Sequence, residues 1–267
     1  MGKIISLVNQ KGGVGKTTTS INLAASLGLL GKKVLLVDID PQGNATTGVG
    51  IDKGTLTVSI NDALTNKKKA EEVIIKTKFK NLDVMPAVMN LAVLDMELNN
   101  IQKTDPSFVK GAQLKRVLEE IKDNYDYILI DCPPSLGILT TNALTASNSL
   151  MIPVQCEFFA LEGIMQLLNT IQLARKKVNP ELEIEGVVLT MLDSRTILGL
   201  DVVENIRSFF KEKVYDIIVP RLIVLAEAPS HGKPIQYYNS NSRGSTAYIN
   251  LAKEVIERNA REEESTR

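Results

Sequence analysis

A glycine-rich loop near the start of the chain, KGGVGKTT at residues 11–18, constrains the fold more than any other feature. It follows the apolar run IISLVN (4–9) and precedes the helical pattern TTTSINLAASLGLLG (17–31). A strand, a glycine loop and a helix in this order form the arrangement in which backbone amides converge on phosphate groups. The sequence therefore predicts an α/β fold with this loop at the carboxyl end of a strand.

Further apolar runs rich in β-branched residues recur along the chain, at 33–40, 82–87, 127–132, 149–155, 185–192 and 215–220. Such runs suit strands buried on both faces of a sheet, and amphipathic stretches separate them. The alternation predicts a doubly wound, mostly parallel sheet flanked by helices. We expect a single domain over residues 1–267, with a polar tail fraying from about 259 to 267. The Lys-rich stretch 65–81 is interpreted as a solvated helix face or a sheet edge.

The overall charge is balanced, with 31 basic and 31 acidic residues. This balance argues against a constitutively basic nucleic-acid binder, but it leaves room for a local basic patch or one assembled in a dimer. The two cysteines, Cys132 and Cys156, fit no zinc spacing and are predicted to be buried reduced thiols. The sequence has neither an apolar run of 18 residues nor the pattern of a signal peptide, so we expect a cytosolic protein without stable membrane association.

The loop supplies the groups that a nucleotide phosphate chain needs. Glycines let backbone N–H groups approach phosphate oxygens closely, Lys16 would reach the β- and γ-phosphates, and the Thr17 hydroxyl would ligate Mg²⁺. The predicted nucleotide-binding residues of the loop are Lys11, Gly12, Gly13, Val14, Gly15, Lys16, Thr17 and Thr18.

The loop departs from the ordinary pattern G-x-x-x-x-G-K-[ST], because Gln10 stands where its first glycine would be and Lys11 is added. A lysine at this point lies on the rim of the loop. Arriving from a facing subunit, its ammonium group could neutralise charge on the other subunit's phosphates, as an arginine finger does. From the residues alone, a solvated Lys11 remains an alternative.

Four further motifs accompany the loop: DIDPQGNAT (38–46), DCPPSLG (131–137), PVQCEFFALEG (153–163) and EAPSHGKP (227–234). Together with KGGVGKTT they resemble the ParA/Soj family of chromosome- and plasmid-partition ATPases over nearly the whole chain. That family belongs to the deviant Walker A group of P-loop NTPases, which also holds MinD and the nitrogenase iron protein. The resemblance implies ATP and Mg²⁺ as ligands and an ATP-dependent sandwich homodimer, in which Lys11 contacts the partner's phosphates.

Three carboxylates end two of the predicted strands. Asp40 matches the family residue that orients or activates the attacking water with a contact to Mg²⁺, so Lys11, Lys16 and Asp40 are the predicted catalytic residues. Asp131 ends the Walker B run YILID and would hold Mg²⁺ through a water or through Thr17, so the predicted metal site is Thr17, Asp40 and Asp131. Asp38 is interpreted as an N-cap, a sheet-end residue or an outer contact of the metal.

The segments LTMLDS and VPRL would lie beside the base, which makes Met191 and Pro220 candidate base contacts. Neither contains the guanine-reading motif N-K-x-D, so adenine is favoured.

The resemblance also implies non-specific binding of double-stranded DNA by the ATP dimer, through phosphate neutralisation. Arg195 matches a family arginine assigned to that surface, and Arg221 and Arg243 are further candidates. Relatives commonly read PRNVRLSEAPS where this chain reads PRLIVLAEAPS, so Val224 replaces a family arginine and DNA binding is predicted to be weaker or differently distributed. His231 is given no catalytic role.

By the same resemblance, a ParB/Spo0J-type centromere-binding protein would stimulate slow ATP hydrolysis on the nucleoid and so position chromosome or plasmid origins. One alternative is a MinD-like membrane-associated division ATPase, for which the acidic end REEESTR is a poor anchor. Another is a reductase of the iron-protein type, with a cluster held by Cys132 and Cys156. A P-loop fold without turnover is a third.

Overall fold

The computed structural model describes residues 2–157, 160–193 and 195–265. The described residues form eight strands, β1 Lys3–Leu7, β2 Val34–Asp38, β3 Ile75–Lys76, β4 Leu82–Met85, β5 Tyr127–Asp131, β6 Ser149–Gln155, β7 Glu183–Leu192 and β8 Val219–Pro220. They also form eleven helices, α1 Lys16–Leu29, α2 Asn44–Gly48, α3 Ile60–Leu64, α4 Leu94–Thr104, α5 Gln113–Glu119, α6 Ile138–Ala146, α7 Ala160–Lys177, α8 Ile197–Phe210, α9 Ile223–Glu227, α10 Ile235–Tyr238 and α11 Arg243–Ser265.

All eight strands belong to one sheet with the order β3-β4-β2-β5-β1-β6-β7-β8. Every neighbouring pair is parallel except β3 with β4, which is antiparallel at the edge. The predicted mostly parallel sheet is therefore confirmed. Strand β1 lies in the interior of the sheet between β5 and β6, so the glycine loop emerges at its middle.

The core lies on both faces of the sheet because successive strand residues point to opposite sides. In β1, Ile4 packs into one apolar cluster, with helices α4 to α7. Ile5 and Leu7 pack into the other cluster, with α1 and α11. This double coverage explains why the strands read as continuous apolar runs.

One predicted segment differs from the structure, and for a second the structure decides between two interpretations. Of the predicted strand 215–220, only Val219–Pro220 pairs in the sheet, with an isolated bridge from Val214 to Val187 before it. The amide of Tyr215 still donates to the carbonyl of Val187 at 2.9 Å, and its ring packs on Gly186, where an added Cβ would lie 2.5 Å from the ring. The Lys-rich stretch contains the edge strand β3, so the edge interpretation is the one that the structure supports.

Helix α11 continues to Ser265, whereas the sequence predicted a tail from about 259. Two features explain the difference: the helix packs against α1, and the ammonium group of Lys3 donates to Asn259 and to Glu262 at 2.9 Å. Lys3 also pairs with the buried carboxylate of Glu185 at 2.8 Å. The end of the chain that the structure describes is thus bonded to the start of β1.

In the described part of the chain, no helix combines the length and apolarity that crossing a bilayer requires. Cys132 is buried as predicted, but Cys156 is only partly buried. Cys156 follows the last residue of the interior strand β6, at the carboxyl end of the sheet.

Candidate nucleotide-binding site

The glycine loop has the shape of an anion cradle. Gly13 and Gly15 adopt φ values of 77° and 88°, which side chains other than glycine's disfavour. An added Cβ at Gly12 or Gly13 would meet no atom within 4 Å, so the space in front of the loop is open. Helix α1 begins directly afterwards at Lys16, and its free N–H groups and dipole favour an anion there.

The loop is tied to its neighbouring strands. The Asn9 side chain donates to the carbonyl of Pro153 at 2.8 Å and accepts from the amide of Lys11 at 3.0 Å. The hydroxyl of Thr190 in β7 donates to the carbonyl of Val14 at 2.8 Å, and the Val14 side chain is buried. These bonds hold the loop in place before any ligand binds.

The ammonium group of Lys16 is held inside the loop that it serves. Its Nζ donates to the carbonyl of Lys11 at 3.1 Å, and the residue is only 7% exposed. Burial lowers the pKa of Lys16, while the nearby carboxylates of Asp131 and Asp40 act in the opposite direction. A phosphate group here would give the desolvated ammonium a stronger partner than the carbonyl.

The carboxylate of Asp131 receives two hydroxyl groups from one face of α1. Thr17 Oγ1 donates to Oδ2 at 2.8 Å and Ser20 Oγ donates to Oδ1 at 2.8 Å. Positions three apart on a helix share a face, which brings both hydroxyls to the end of β5. Thr17 and Asp131 thus form the contact expected of a Mg²⁺ site of this type.

A second fully buried carboxylate, Asp38, organises the loop that carries Asp40. Asp38 accepts from the amide of Asp40 at 3.1 Å and from both the amide and the hydroxyl of Thr46 at 2.8 Å. Asp40 itself is partly exposed, and its carboxylate accepts from the amide of Gln42 at 2.9 Å. Asp38 is therefore a sheet-end residue that binds the start of α2, and Asp40 faces the open side.

Asp38 and Asp131 lie opposite each other in the register of β2 and β5. Burial raises the pKa of Asp131 to about 7, and the neighbouring Asp38 adds to the effect, while the hydroxyls of Ser20 and Thr17 oppose it. Burial likewise raises the pKa of Asp38 to about 6, against the hydrogen bonds from Thr46. A cation bound beside these two carboxylates would stabilise their ionised forms.

Lys11 is neither solvated nor free. Its ammonium group forms an ion pair with Glu157, which follows β6, and both side chains are about one third exposed, at 36% and 38%. Phe158 and Phe159, the next residues of the PVQCEFFALEG motif, lie outside the described residues. In the single subunit the added lysine thus has a partner within its own chain.

An apolar cavity of about 330 Å³ adjoins the loop. The predicted contacts Gly15, Thr18, Met191 and Pro220 all line it, together with residues that sequence reasoning did not single out, among them Ile223 and Tyr248. Met191 has a φ of 55°, and its Cε lies 3.4 Å from the Cβ position of Gly15. A planar base fits such a cavity through apolar packing.

The three predicted DNA-contacting arginines, Arg195, Arg221 and Arg243, line one adjoining cavity of about 240 Å³. Arg195 forms a two-pronged ion pair with Asp193, at 2.8 and 2.7 Å. Val224 is half-buried against the core, and His231 stacks on Tyr238 with ring centroids 4.9 Å apart. The three arginines that the sequence analysis selected therefore lie close together in the fold, and one of them, Arg195, is already paired with Asp193.

Besides residues that line the apolar cavity, sequence reasoning missed Ser20, Thr46 and Glu157. Ser20 could have been found, because it lies three positions after Thr17 on the same helix face. Thr46 could not, because its contact depends on how α2 folds back on the end of β2, and Glu157 could not, because its contact depends on β6 lying beside β1.

Comparison with known proteins identifies the relatives of the chain. A family model described as an AAA domain matches residues 2–184. The sporulation initiation inhibitor protein Soj of Bacillus subtilis is 56% identical over 96% of this chain and 98% of its own length. The chromosome partitioning protein ParA of Myxococcus xanthus is 47% identical over 97% of this chain and 89% of its own.

Among solved structures, cobyrinic acid a,c-diamide synthase from Mycobacterium smegmatis with bound ADP and magnesium superposes with a TM-score of 0.81. It is 33% identical, covering 95% of this chain and 93% of that one. The identity to Soj and ParA over almost the full length, together with the lysine-bearing glycine loop, establishes that this chain belongs to the ParA/Soj family of chromosome-partitioning ATPases.

Proposed function

We propose that the chain binds ATP with Mg²⁺ and hydrolyses it to ADP and phosphate. The observation that carries this proposal is the arrangement of Lys16, Thr17 and Asp131 around an open glycine loop. The residues fit Mg²⁺, because the Thr17 hydroxyl and the buried Asp131 carboxylate are hard oxygen ligands and a second buried carboxylate, Asp38, lies opposite Asp131 in the neighbouring strand. Bound there, the cation would neutralise charge on the phosphates.

Other groups of the chain would bind the phosphates, the attacking water and the base. Lys16 would exchange its bond to the Lys11 carbonyl for phosphate oxygens, and the amides of the loop would bind the remaining oxygens. Asp40 would orient the attacking water, since its carboxylate is accessible while Asp38 fixes its backbone. The cavity lined by Met191 and Pro220 would hold adenine.

We further propose that ATP binding joins two copies face to face, with Lys11 of each copy on the phosphates of the other. The single chain offers support: Lys11 lies on the rim of its own loop and is paired outward with Glu157. Supply of a cation by a second subunit would complete the site only in the dimer, so we expect a slow basal rate.

The dimer would bind double-stranded DNA without sequence preference, through Arg195, Arg221 and Arg243. These guanidinium groups share one cavity whose wall, at Pro220 and Arg221, is also the wall of the base cavity. A dimer would contain this cluster twice and so present a basic patch. The zero net charge of the chain is compatible with such a local patch.

In the cell, the ATP dimer would associate with the nucleoid, and a ParB/Spo0J-type partner would stimulate hydrolysis and release subunits, positioning chromosome or plasmid origins. The membrane alternative has less support. Helix α11, which would have to be the anchor, is bonded at Asn259 and Glu262 to Lys3.

The test is binding of purified protein to a long, arbitrary DNA duplex without nucleotide, with ADP and with a non-hydrolysable ATP analogue, each at two salt concentrations. We expect binding only with the analogue, and weaker binding at higher salt. Lys16→Ala is the matched control, and it should bind DNA in none of the three states. Binding that is equal in all nucleotide states, or absent in all of them, would overturn the proposal.

A further inference from the structure

The segment after β3 presents a row of lysines at the far edge of the sheet. Lys76, Lys78 and Lys80 are exposed, whereas Phe79 between them is buried in the core. The hydroxyl of Thr77 donates inward to the carbonyl of Leu82 at 2.6 Å. The three lysine side chains are therefore all accessible to solvent, and the ammonium group of Lys78 lies 5.5 Å from the centroid of the Phe79 ring.

The backbone that carries the row is held firmly. The amide of Lys80 donates to the hydroxyl of Tyr237 at 3.0 Å, and the rings of Phe79 and Tyr237 lie 4.7 Å apart. At Gly28 in α1, an added Cβ would lie 2.3 Å from the Lys80 carbonyl oxygen, so helix and turn are in close contact. The three lysines thus extend from a fixed base, which reduces the conformational freedom lost on binding.

Within the described residues, none of these three lysines has a carboxylate within 4 Å of its ammonium group. Asp83 stands opposite Lys76 in the strand pair, but its carboxylate accepts the hydroxyl of Tyr125 at 3.0 Å. The nearby Lys67 and Lys68 differ, because they pair with Glu97 at 3.6 Å and Glu72 at 3.0 Å. The row is a concentration of uncompensated positive charge in a chain of zero net charge.

We propose that Lys76, Lys78 and Lys80 form a second DNA-binding surface that contacts phosphates of the duplex backbone. This inference rests on the proposed function, since it adds a site to a protein that binds DNA in its ATP state. The chain leaves β3 after Lys76, bends at Lys78 and turns at Lys80, so successive lysines of the row are separated by no more than about 7 Å, the distance that alternate residues span in an extended chain. A DNA strand carries one phosphate for about every 3.4 Å of helix axis, so each lysine can meet a different phosphate.

The chemistry of the row favours nucleic acid over a lipid surface. Among the described residues, none of the exposed large apolar side chains lies between 75 and 81. Binding in a membrane interface needs an apolar face beside the basic one. In this segment the large apolar side chain, Phe79, is buried in the core. The row therefore suits a polyanion that is bound through its charges and needs no apolar contacts.

The row is also independent of the arginine cluster. Strand β3 forms one edge of the eight-stranded sheet and β8, just before Arg221, forms the other. Since neighbouring strands lie about 4.8 Å apart, the two surfaces are separated by about 30 Å. Basic groups at this distance should contribute additively to DNA binding. The sequence analysis predicted weaker or differently distributed DNA binding because Val224 replaces a family arginine. A second DNA-binding surface would be such a different distribution.

The experiment compares two triple variants that remove the same charge from the same part of the chain. Lys76→Gln, Lys78→Gln and Lys80→Gln together remove the row. Lys67→Gln, Lys68→Gln and Lys69→Gln together are the control, which removes lysines lying among Glu72 and Glu97. DNA affinity is measured with the ATP analogue at several salt concentrations, beside wild type, and circular dichroism melting checks the fold of each variant.

For the row variant we expect the slope of log affinity against log salt to flatten by about 2–3 for each subunit in contact with DNA. Affinity at the lower salt should fall by about tenfold or more. The control should change the slope by less than about 1, and basal ATP hydrolysis should be unchanged in both. Replacing the same three lysines by arginine should retain wild-type affinity, because charge is kept.

Equal effects of the row and control variants would overturn the inference and leave the proposed function standing, because wild type would still bind. Failure of wild type to bind DNA with the analogue would overturn both. A row variant that loses its salt dependence while the arginine version keeps it supports the second surface.

Discussion

Lys11 and Glu157 form an ion pair within one subunit, between the rim of the glycine loop and the end of β6. If Lys11 is to reach the phosphates of a second copy, this pair must open. The side chains are partly exposed, so the pair stabilises the free subunit by about 0.2–1 kcal/mol. The cost is modest but is incurred twice in a symmetric dimer.

Glu157→Gln should therefore favour the dimer. We expect the concentration of protein needed for half-maximal dimerisation with the ATP analogue to fall by up to about tenfold, measured by analytical ultracentrifugation. Glu181→Gln, which changes an exposed acid in the turn before β7, is the control and should have no effect. Weaker dimerisation of Glu157→Gln would mean that the carboxylate supports the dimer and does not compete with it.

Ser20→Ala should weaken the Mg²⁺ site. The substitution removes the donor to Asp131 Oδ1, which should destabilise the fold by about 1–3 kcal/mol and raise the pKa of Asp131 further. The magnesium concentration for half-maximal ATP hydrolysis should rise several-fold. Ser26→Ala is the control in the same helix: its hydroxyl accepts from Gln236 at 2.7 Å, so it should cost stability without changing the magnesium dependence. An unchanged magnesium requirement in Ser20→Ala would contradict this role.

The stability of the protein without nucleotide or metal should fall as the pH rises from about 5.5 to 8. Asp38 and Asp131 have folded pKa values of about 6 and about 7, above their ordinary value of 3.8. The folded chain therefore binds more protons than the unfolded chain in this interval, and that stabilisation is lost as pH rises through the folded pKa values.

Thermal unfolding in EDTA at several pH values measures the effect as a falling Tm. Asp38→Asn should flatten the dependence, since one titrating group is removed. Added Mg²⁺ with ADP should also flatten it, because the cation favours the ionised carboxylates. A Tm that rises steadily over the same interval in EDTA would contradict the account.

Val224→Arg should strengthen DNA binding by the ATP dimer. Val224 is half-buried, but an arginine stem can cover apolar surface while its guanidinium group stays in water. One added phosphate contact per subunit should steepen the salt slope by up to about 2 in a dimer. Val224→Gln is the uncharged control. Affinity and slope equal to those of wild type would show that this position makes no DNA contact.

The sequence predicted the fold and the phosphate loop well because both are local patterns. Seven strands read as continuous apolar runs, since the sheet buries both faces, and glycines at the loop mark the positive φ of Gly13 and Gly15. The antiparallel edge strand β3 is two residues long and has half its side chains in solvent, so it could only be interpreted as a possible edge.

What the sequence could not supply is the set of contacts between distant segments. The ion pair of Lys11 with Glu157 needs β6 beside β1, and the hydrogen bonds of Asp38 need α2 folded back over β2. The shared wall of the base cavity and the arginine cavity likewise depends on β8 lying next to β7. The first and third follow from strand order and the second from the path of the chain after β2, and alternation of strands and helices leaves both open.

The most direct test of the central claim, that Lys11 completes the site of a second copy, is a mixing experiment. Lys11→Ala and Asp40→Ala should each hydrolyse ATP at least about tenfold more slowly than wild type. In a mixed dimer, one site has its own Asp40 and receives the intact Lys11 of the other subunit. Since half the dimers are mixed and one of their two sites is intact, equimolar mixing should restore about a quarter of wild-type activity. Activity no greater than the average of the two variants would contradict the claim.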